Sequence, residues 1–212
     1  MEETELKDLA GDALILLVNI FDDTSVKVIS NKFTTKLIDS MPFIVDEPTI
    51  DALVSIFTII CPYYEKVQPD DNLLIEEFKG ERCEFYKQKL LYLANRGSAY
   101  RLDKAMQTVY VLLTNAKTVE FFNENDIDII IECALRELGE KNTSRSRVAI
   151  LRVLLLALEH PTYLKHYPKR VAEYIDTFET QVLHEEGEEY KSKERVEFMK
   201  LNAKLLELSQ TR

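Results

Sequence analysis

The sequence predicts an all-α protein: a helical solenoid of the armadillo/HEAT type, folded as a single superhelical domain over residues 1–212. Three observations lead there. Apolar residues recur at three- and four-residue steps almost throughout the chain. Punctuation is sparse, with 5 Gly and 6 Pro, too few for a sandwich of short strands. And a pattern repeats at an offset of 42, which lays Val111-Leu112-Leu113 on Val153-Leu154-Leu155 and Phe121-Phe122 on Tyr163-Leu164. In both copies a long helix, a short turn with two large apolar residues and a new amphipathic helix follow one another. A period of about 40–47 residues with two or three helices is that of armadillo and HEAT repeats, whose units bury their apolar faces only by stacking. Helices near Ala13 and Ala52 give looser earlier copies.

The elements follow in order. Leu6, Leu9, Ala13, Leu14, Leu16, Leu17 and Ile20 mark a first helix from Glu3 to Phe21, ended by Asp22-Asp23. Residues 25–40 read as one or two short helices. Pro48 opens the next, since a first-turn N–H has no helical partner to lose. Its body is Thr49 to Cys61, and Pro62 is expected to stop it. Asp70 caps a short stretch from Leu73 to Phe78, closed by Gly80. Phe85, Leu90, Leu91 and Leu93 mark a helix ending at Asn95-Arg96-Gly97, and Leu102 to Leu113 forms another. Asn125 or Asp126 caps Ile127 to Leu138, and Ser144 caps Val148 to Leu158. Pro168 opens a helix through Val182, and the last runs from Glu189 to Leu208. Ile127–Ile131 and Val153–Leu156 are apolar enough for strands, but each lies inside a longer capped pattern. Leu155 is placed in the core, so Leu155→Asp is expected to unfold the domain by burying an unpaired charge.

The formal net charge of -10 is unevenly placed. Residues 1–80, a set of acidic N-terminal helices, carry the whole acidic excess. Residues 81–187, the repeat core, and the C-terminal helix of 188–212 together balance. Local basic zones lie at Arg82–Lys104 and Lys141–Arg170. An acidic total argues against general nucleic-acid binding, which neutralises phosphates along a whole face. It leaves room for a basic patch that meets a protein partner. No run of 18 apolar residues crosses a membrane, so no membrane insertion is expected. The acidic start is the opposite of a signal peptide's n-region, and three Cys without a CxxC read as reduced thiols. A cytoplasmic location is expected.

A search for reaction chemistry returns structural readings. No phosphate-cradling Gly loop is present, and His160, His166 and His184 form no HExxH pair. His160 and His166 flank a Pro turn, better read as a polar turn than as metal ligands. Asn123 to Asp128 resembles part of a calcium loop but lacks its Gly and its bidentate Glu, so a helix cap explains it better. Cys133 reads as an inert buried thiol. The expectation is a protein that is not an enzyme, with no metal and no cofactor.

Two junctions carry binding chemistry instead. Tyr92 to Leu102 puts two Arg and two Tyr around a Gly turn, and Tyr163 to Arg170 forms a second cluster around Pro161 and Pro168. Arg and Tyr are enriched at interface hot spots. In the alternative, the Tyr rings plug helix junctions and the basic residues are merely solvated. The candidate partner-binding residues are Arg96, Arg101, Lys104, Lys165, Lys169 and Arg170. Arg96 and Arg101 are the anchors, because Arg pairs bidentately with carboxylates and stacks on aromatics.

Several stretches taken together resemble a known family. They are Leu90-Leu91-Tyr92-Leu93-Ala94-Asn95-Arg96-Gly97, Arg101-Leu102, the helix Val109 to Leu113, Phe121-Phe122 and Asp126-Ile127. Arg136-Glu137-Leu138, Arg152, Leu154 to Leu158 and Tyr163-Leu164-Lys165-His166-Tyr167 complete the set. From Phe85 to Glu189 the chain resembles the C-terminal armadillo-like domain of the WISH/DIP/SPIN family, which includes the animal Nck-interacting Src-homology-three protein and the yeast Dip and Ldb proteins. It lacks the Src-homology-three domain and Pro-rich segment of the animal form. The resemblance implies a partner, the Arp two/three complex, activated without a pre-existing filament so that it nucleates a linear actin filament; actin itself is engaged indirectly. It also implies a place in the cortical actin cytoskeleton and in endocytosis. A different functional class stays open beside it: a passive scaffold or adaptor that holds a partner peptide or helix in its groove.

Overall fold

A computed structural model describes residues 31–40, 44, 46–67, 72–77, 83–96, 99–139, 144–163, 171–173, 176 and 188–210. Among them every regular element is helical and no strand occurs, as the apolar spacing predicts. The expected helix from Glu3 to Phe21, the cap at Asp70, the stop at Gly80 and most of the helix from Pro168 lie outside the described residues. The chain divides into two compact units, Met1–Val111 and Leu112–Arg212.

The first unit holds α1 (Asn31–Ser40), α2 (Glu47–Val67), α3 (Leu73–Glu77), α4 (Cys83–Arg96) and most of α5 (Ala99–Thr114). Its core element is α2, buried on nearly every side from Thr49 to Cys61. Asp46 caps it, its Oδ2 accepting the Thr49 N–H at 2.9 Å. On one flank Thr34 of α1 and the Tyr64 hydroxyl approach to 3.4 Å. On another, Tyr86 of α4 meets Phe57 with ring centroids 5.7 Å apart. Asn72, just before α3, donates from Nδ2 to the Cys61 carbonyl at 3.2 Å.

Pro62 does not stop α2: the helix runs on to Val67, five residues beyond it. An interior proline has no N–H for the carbonyl four residues back, here that of Thr58. Thr108 of α5 supplies the missing donor. Its Oγ1 lies 3.1 Å from the Thr58 oxygen, and the residue is fully buried. The sequence rule fails because a donor 50 residues away replaces the lost hydrogen bond.

The second unit holds a 3-10 turn (Val119–Phe121), α6 (Glu124–Gly139), α7 (Ser144–Glu159) and α8 (Glu188–Gln210). The cap of α6 is neither Asn125 nor Asp126. Asn123 Oδ1 accepts the Asp126 N–H at 3.1 Å, and Asp126 Oδ2 accepts the Asn123 N–H at 2.9 Å. This reciprocal box satisfies two donors at once and uses up the carboxylate that gave the segment its calcium-loop look. His160 closes α7 as a satisfied polar turn: Nε2 is 2.7 Å from the Val119 carbonyl and Nδ1 is 2.8 Å from the Thr162 hydroxyl. With Nε2 donating to the carbonyl, Nδ1 accepts from Thr162.

α7 packs against both α6 and α8. Ile150, Leu151, Val153, Leu154, Ala157 and Leu158 are buried completely. Leu155 is only half-buried, so its neighbour Leu154 takes the central place expected for it. The match of α7 to α8 is set by charge as well as by packing. Arg147 Nε is 3.2 Å from Glu194, Arg152 Nε is 3.0 Å from Glu197, and Lys204 Nζ is 3.8 Å from Glu159. The partner numbers rise together along both helices, so α7 and α8 lie parallel.

Candidate partner-binding surface

The junction after α4 holds the first predicted cluster. One side of α4 is core: Tyr86, Leu90, Leu93 and Ala94 are buried against the unit's interior. Helical steps of three and four residues therefore put Phe85, Gln88, Lys89, Tyr92 and Arg96 on the other side. Phe85 and Tyr92, one heptad apart, are both exposed, Tyr92 at 52%. Arg96 is exposed in the last turn, where the helix dipole favours a cation.

Lys89 organises this face. It bonds to Glu47 at the start of α2, and its Nζ lies 3.3 Å from Asp51 Oδ1. The same ammonium sits 5.9 Å from the centre of the Tyr92 ring, a cation–π arrangement that holds the exposed ring in place. The Glu47 hydrogen bond keeps the Lys89 ammonium above the usual lysine value, with Asp51 reinforcing it. Lys87 pairs with Glu84 at 2.7 Å, and this hydrogen bond holds Glu84 below the usual carboxylate range. Glu84, the acid in the first turn of α4, is thus engaged, and the outer stripe carries two aromatics and a guanidinium.

The predicted residues do not all share this surface. Arg96 is exposed and Arg101, in the early turns of α5, is half-buried. Lys104 is buried at 4% exposure among Leu102, Ala105 and Met106, so its ammonium is not offered to a partner. The inner face of α5 carries it there, because Thr108, one turn on, must reach Thr58. Lys165, Lys169 and Arg170 lie outside the described residues. Sequence reasoning used Phe85 only to mark the helix and did not place it on a binding face; its spacing of seven from Tyr92, with Gln88 and Lys89 between, is the signal for an outer stripe.

Among the described residues, no group of three or more His, Cys, Asp or Glu could hold a metal ion. Burial pushes the Cys61 thiol up to about 12 and raises Cys133 as well, so neither supplies a thiolate near neutral pH. No described helix is long and apolar enough to cross a membrane.

The fold and this face define an all-helical module, built on leucine-rich packing, with an aromatic and cationic outer stripe. Residues 46–173 match the family model described as SPIN90/Ldb17, leucine-rich domain, and the chain belongs to that family. The matched stretch begins at the α2 cap and takes in α4, α5, α6 and α7. No curated protein and no solved structure matches the chain.

Proposed function

We propose that the chain is a non-enzymatic regulator of the actin cytoskeleton that binds the Arp two/three complex and activates it without a pre-existing filament. Membership of the SPIN90/Ldb17 family carries this reading. The α4 face supports it: Phe85, Tyr92 and Arg96 form a surface suited to an acidic and partly apolar patch on a protein subunit. Activation then requires that the active arrangement of the complex is bound more tightly than the inactive one. Its site of action is the cytoplasm, at the cortical actin that serves endocytosis.

The rigid body that would do this is an armadillo-like solenoid. Two features of the second unit support that arrangement. The ion pairs that align α7 with α8 join residues 45 to 47 apart, and the His160–Val119 bond joins turns 41 apart. Both separations are close to one armadillo or HEAT period, as expected where equivalent parts of successive repeats stack.

The test is a pyrene-actin assembly assay with the purified full chain and purified Arp two/three complex. Acceleration with no added filaments and no acidic activator peptide is the expected result. Binding without acceleration would assign the chain to the passive scaffold class instead, and absence of binding would remove the Arp reading.

A further inference from the structure

We infer that the outer face of α8 is a second docking surface, for an acidic amphipathic helix of a protein partner. This surface lies beyond the matched residues 46–173. α8 is apolar on two sides. Phe198, Leu201 and Leu205 are buried, and with Leu208 they form the seam that meets α7. Val196, Met199, Ala203 and Leu206 are exposed, Met199 at 64%. Each exposed residue precedes by two a member of the inner seam, a turn of about 200° at about 100° per residue. The two stripes therefore stand on nearly opposite sides of the helix.

The outer stripe has the spacing of a helix-pairing seam. Steps of three, four and three from Val196 to Leu206 are successive a and d positions of a heptad, with small Ala203 allowing close approach. A single outward Leu is ordinary on a protein surface, but a spaced row of four is not. A flexible exposed Met is also typical of surfaces that receive partner helices.

Charge decides the occupant. The positions flanking the seam are Lys193, Arg195 and Lys200, all exposed. Lys193 and Arg195 have no ion-pair partner among the described residues, and Lys200 shares Glu197 with Arg152. At the far end Glu207 is neutralised by Lys204 at 3.1 Å. The seam is thus bordered by uncompensated positive charge, which selects a helix with Glu or Asp beside its apolar row. Parallel pairing with a second copy of this chain sets each cation against itself; antiparallel pairing brings Lys200 against Lys200 and sets Lys193 only against Glu207, which Lys204 already neutralises. The contact is small and belongs to the weak, transient class.

The experiment titrates the full chain into two labelled helical peptides of about three heptads, both with Leu at a and d, one with Glu and the other with Lys at e and g. Fluorescence anisotropy should show the acidic peptide binding at least tenfold more tightly. Changing Met199→Glu and Leu206→Glu together should weaken that binding at least tenfold while circular dichroism and melting stay as they were. Met199→Leu with Leu206→Met should keep it. Failure of both peptides to bind, equal binding of the two, or unchanged binding by the Glu variant overturns the inference. So does sedimentation with phosphatidylserine vesicles, or a concentration-dependent dimer, that the Glu variant abolishes; these assign the face to a membrane or to a second copy.

Discussion

Changing Thr108 to Val removes one hydroxyl from the interior of the first unit at nearly constant volume. What it leaves behind is the Thr58 carbonyl, buried, with no N–H at Pro62 to replace the lost donor. The second acceptor of the same hydroxyl, the Lys104 carbonyl at 3.0 Å, already has the Thr108 N–H as its helical partner, so it loses little. An orphaned buried carbonyl costs about 1–3 kcal/mol, and the added methyl group returns only a part of it. Thr108→Val should therefore lower stability by about 2 kcal/mol, read as a drop in the urea midpoint at unchanged slope. The decisive measurement is a double-mutant cycle with Pro62→Ala, which restores an N–H to Thr58. In that background Thr108→Val should cost at least about 1 kcal/mol less, because the carbonyl keeps a donor. Equal costs in the two backgrounds, within about 0.5 kcal/mol, would show that the hydroxyl does not substitute for the missing helical bond.

Leu154→Asp should abolish the cooperative melting of the second unit by placing an unpaired charge in a fully buried position, whereas Leu155→Asp, half-buried, should lower the melting temperature without abolishing folding. Arg96→Glu with Arg101→Glu should leave helicity nearly unchanged and weaken binding to the Arp two/three complex at least tenfold, about 1.4 kcal/mol. Lys7→Glu with Lys27→Glu is the control; loss of binding in the control alone would move the contact to the first 80 residues. Asp46 is held below the usual aspartate value chiefly by its hydrogen bond from Thr49. Its folded value is the lower one, so the cap stabilises above the unfolded value and is lost as pH falls through the folded one. Carboxyl titration by NMR should place Asp46 below a model aspartate, and Asp46→Asn should flatten the acid limb of the stability curve.

The helices were legible because each is specified locally, by apolar steps that recur within a few residues. α4, α5, α7 and α8 fall where the spacing places them, to within a few residues. What the spacing misses is set at a distance or by reciprocity. Pro62 reads as a stop until Thr108 is brought beside Thr58. The cap at Asn123 was within reach, since an Asn three residues before an acid is the pattern of a reciprocal box, whereas Asn125 and Asp126 stand closer to the apolar run. Lys104 reads as surface by its charge, yet its place one residue before Ala105 and two before Met106 puts it on the inner side of α5. Phe85 marks α4 by its apolar character, and only the burial of Tyr86 beside it shows that its ring faces outward. The two-faced pattern of α8 hides both stripes, because an average over opposite sides shows no preferred one.

The rising order of the three ion pairs between α7 and α8 has a mechanical consequence. In two parallel helices the start of one and the end of the other lie at opposite ends of the pair. Tension between Ser144 and Gln210 therefore pulls the helices lengthwise past each other. Arg147–Glu194, Arg152–Glu197 and Lys204–Glu159 then bear load together, where an antiparallel pair pulled in the same way would open one contact at a time. Sliding would also drag the nearly buried Glu194 and Glu197 away from their arginines while still inside the seam, and stranding a buried charge costs about 3–5 kcal/mol. The joint resists traction along its axis far better than peeling across it.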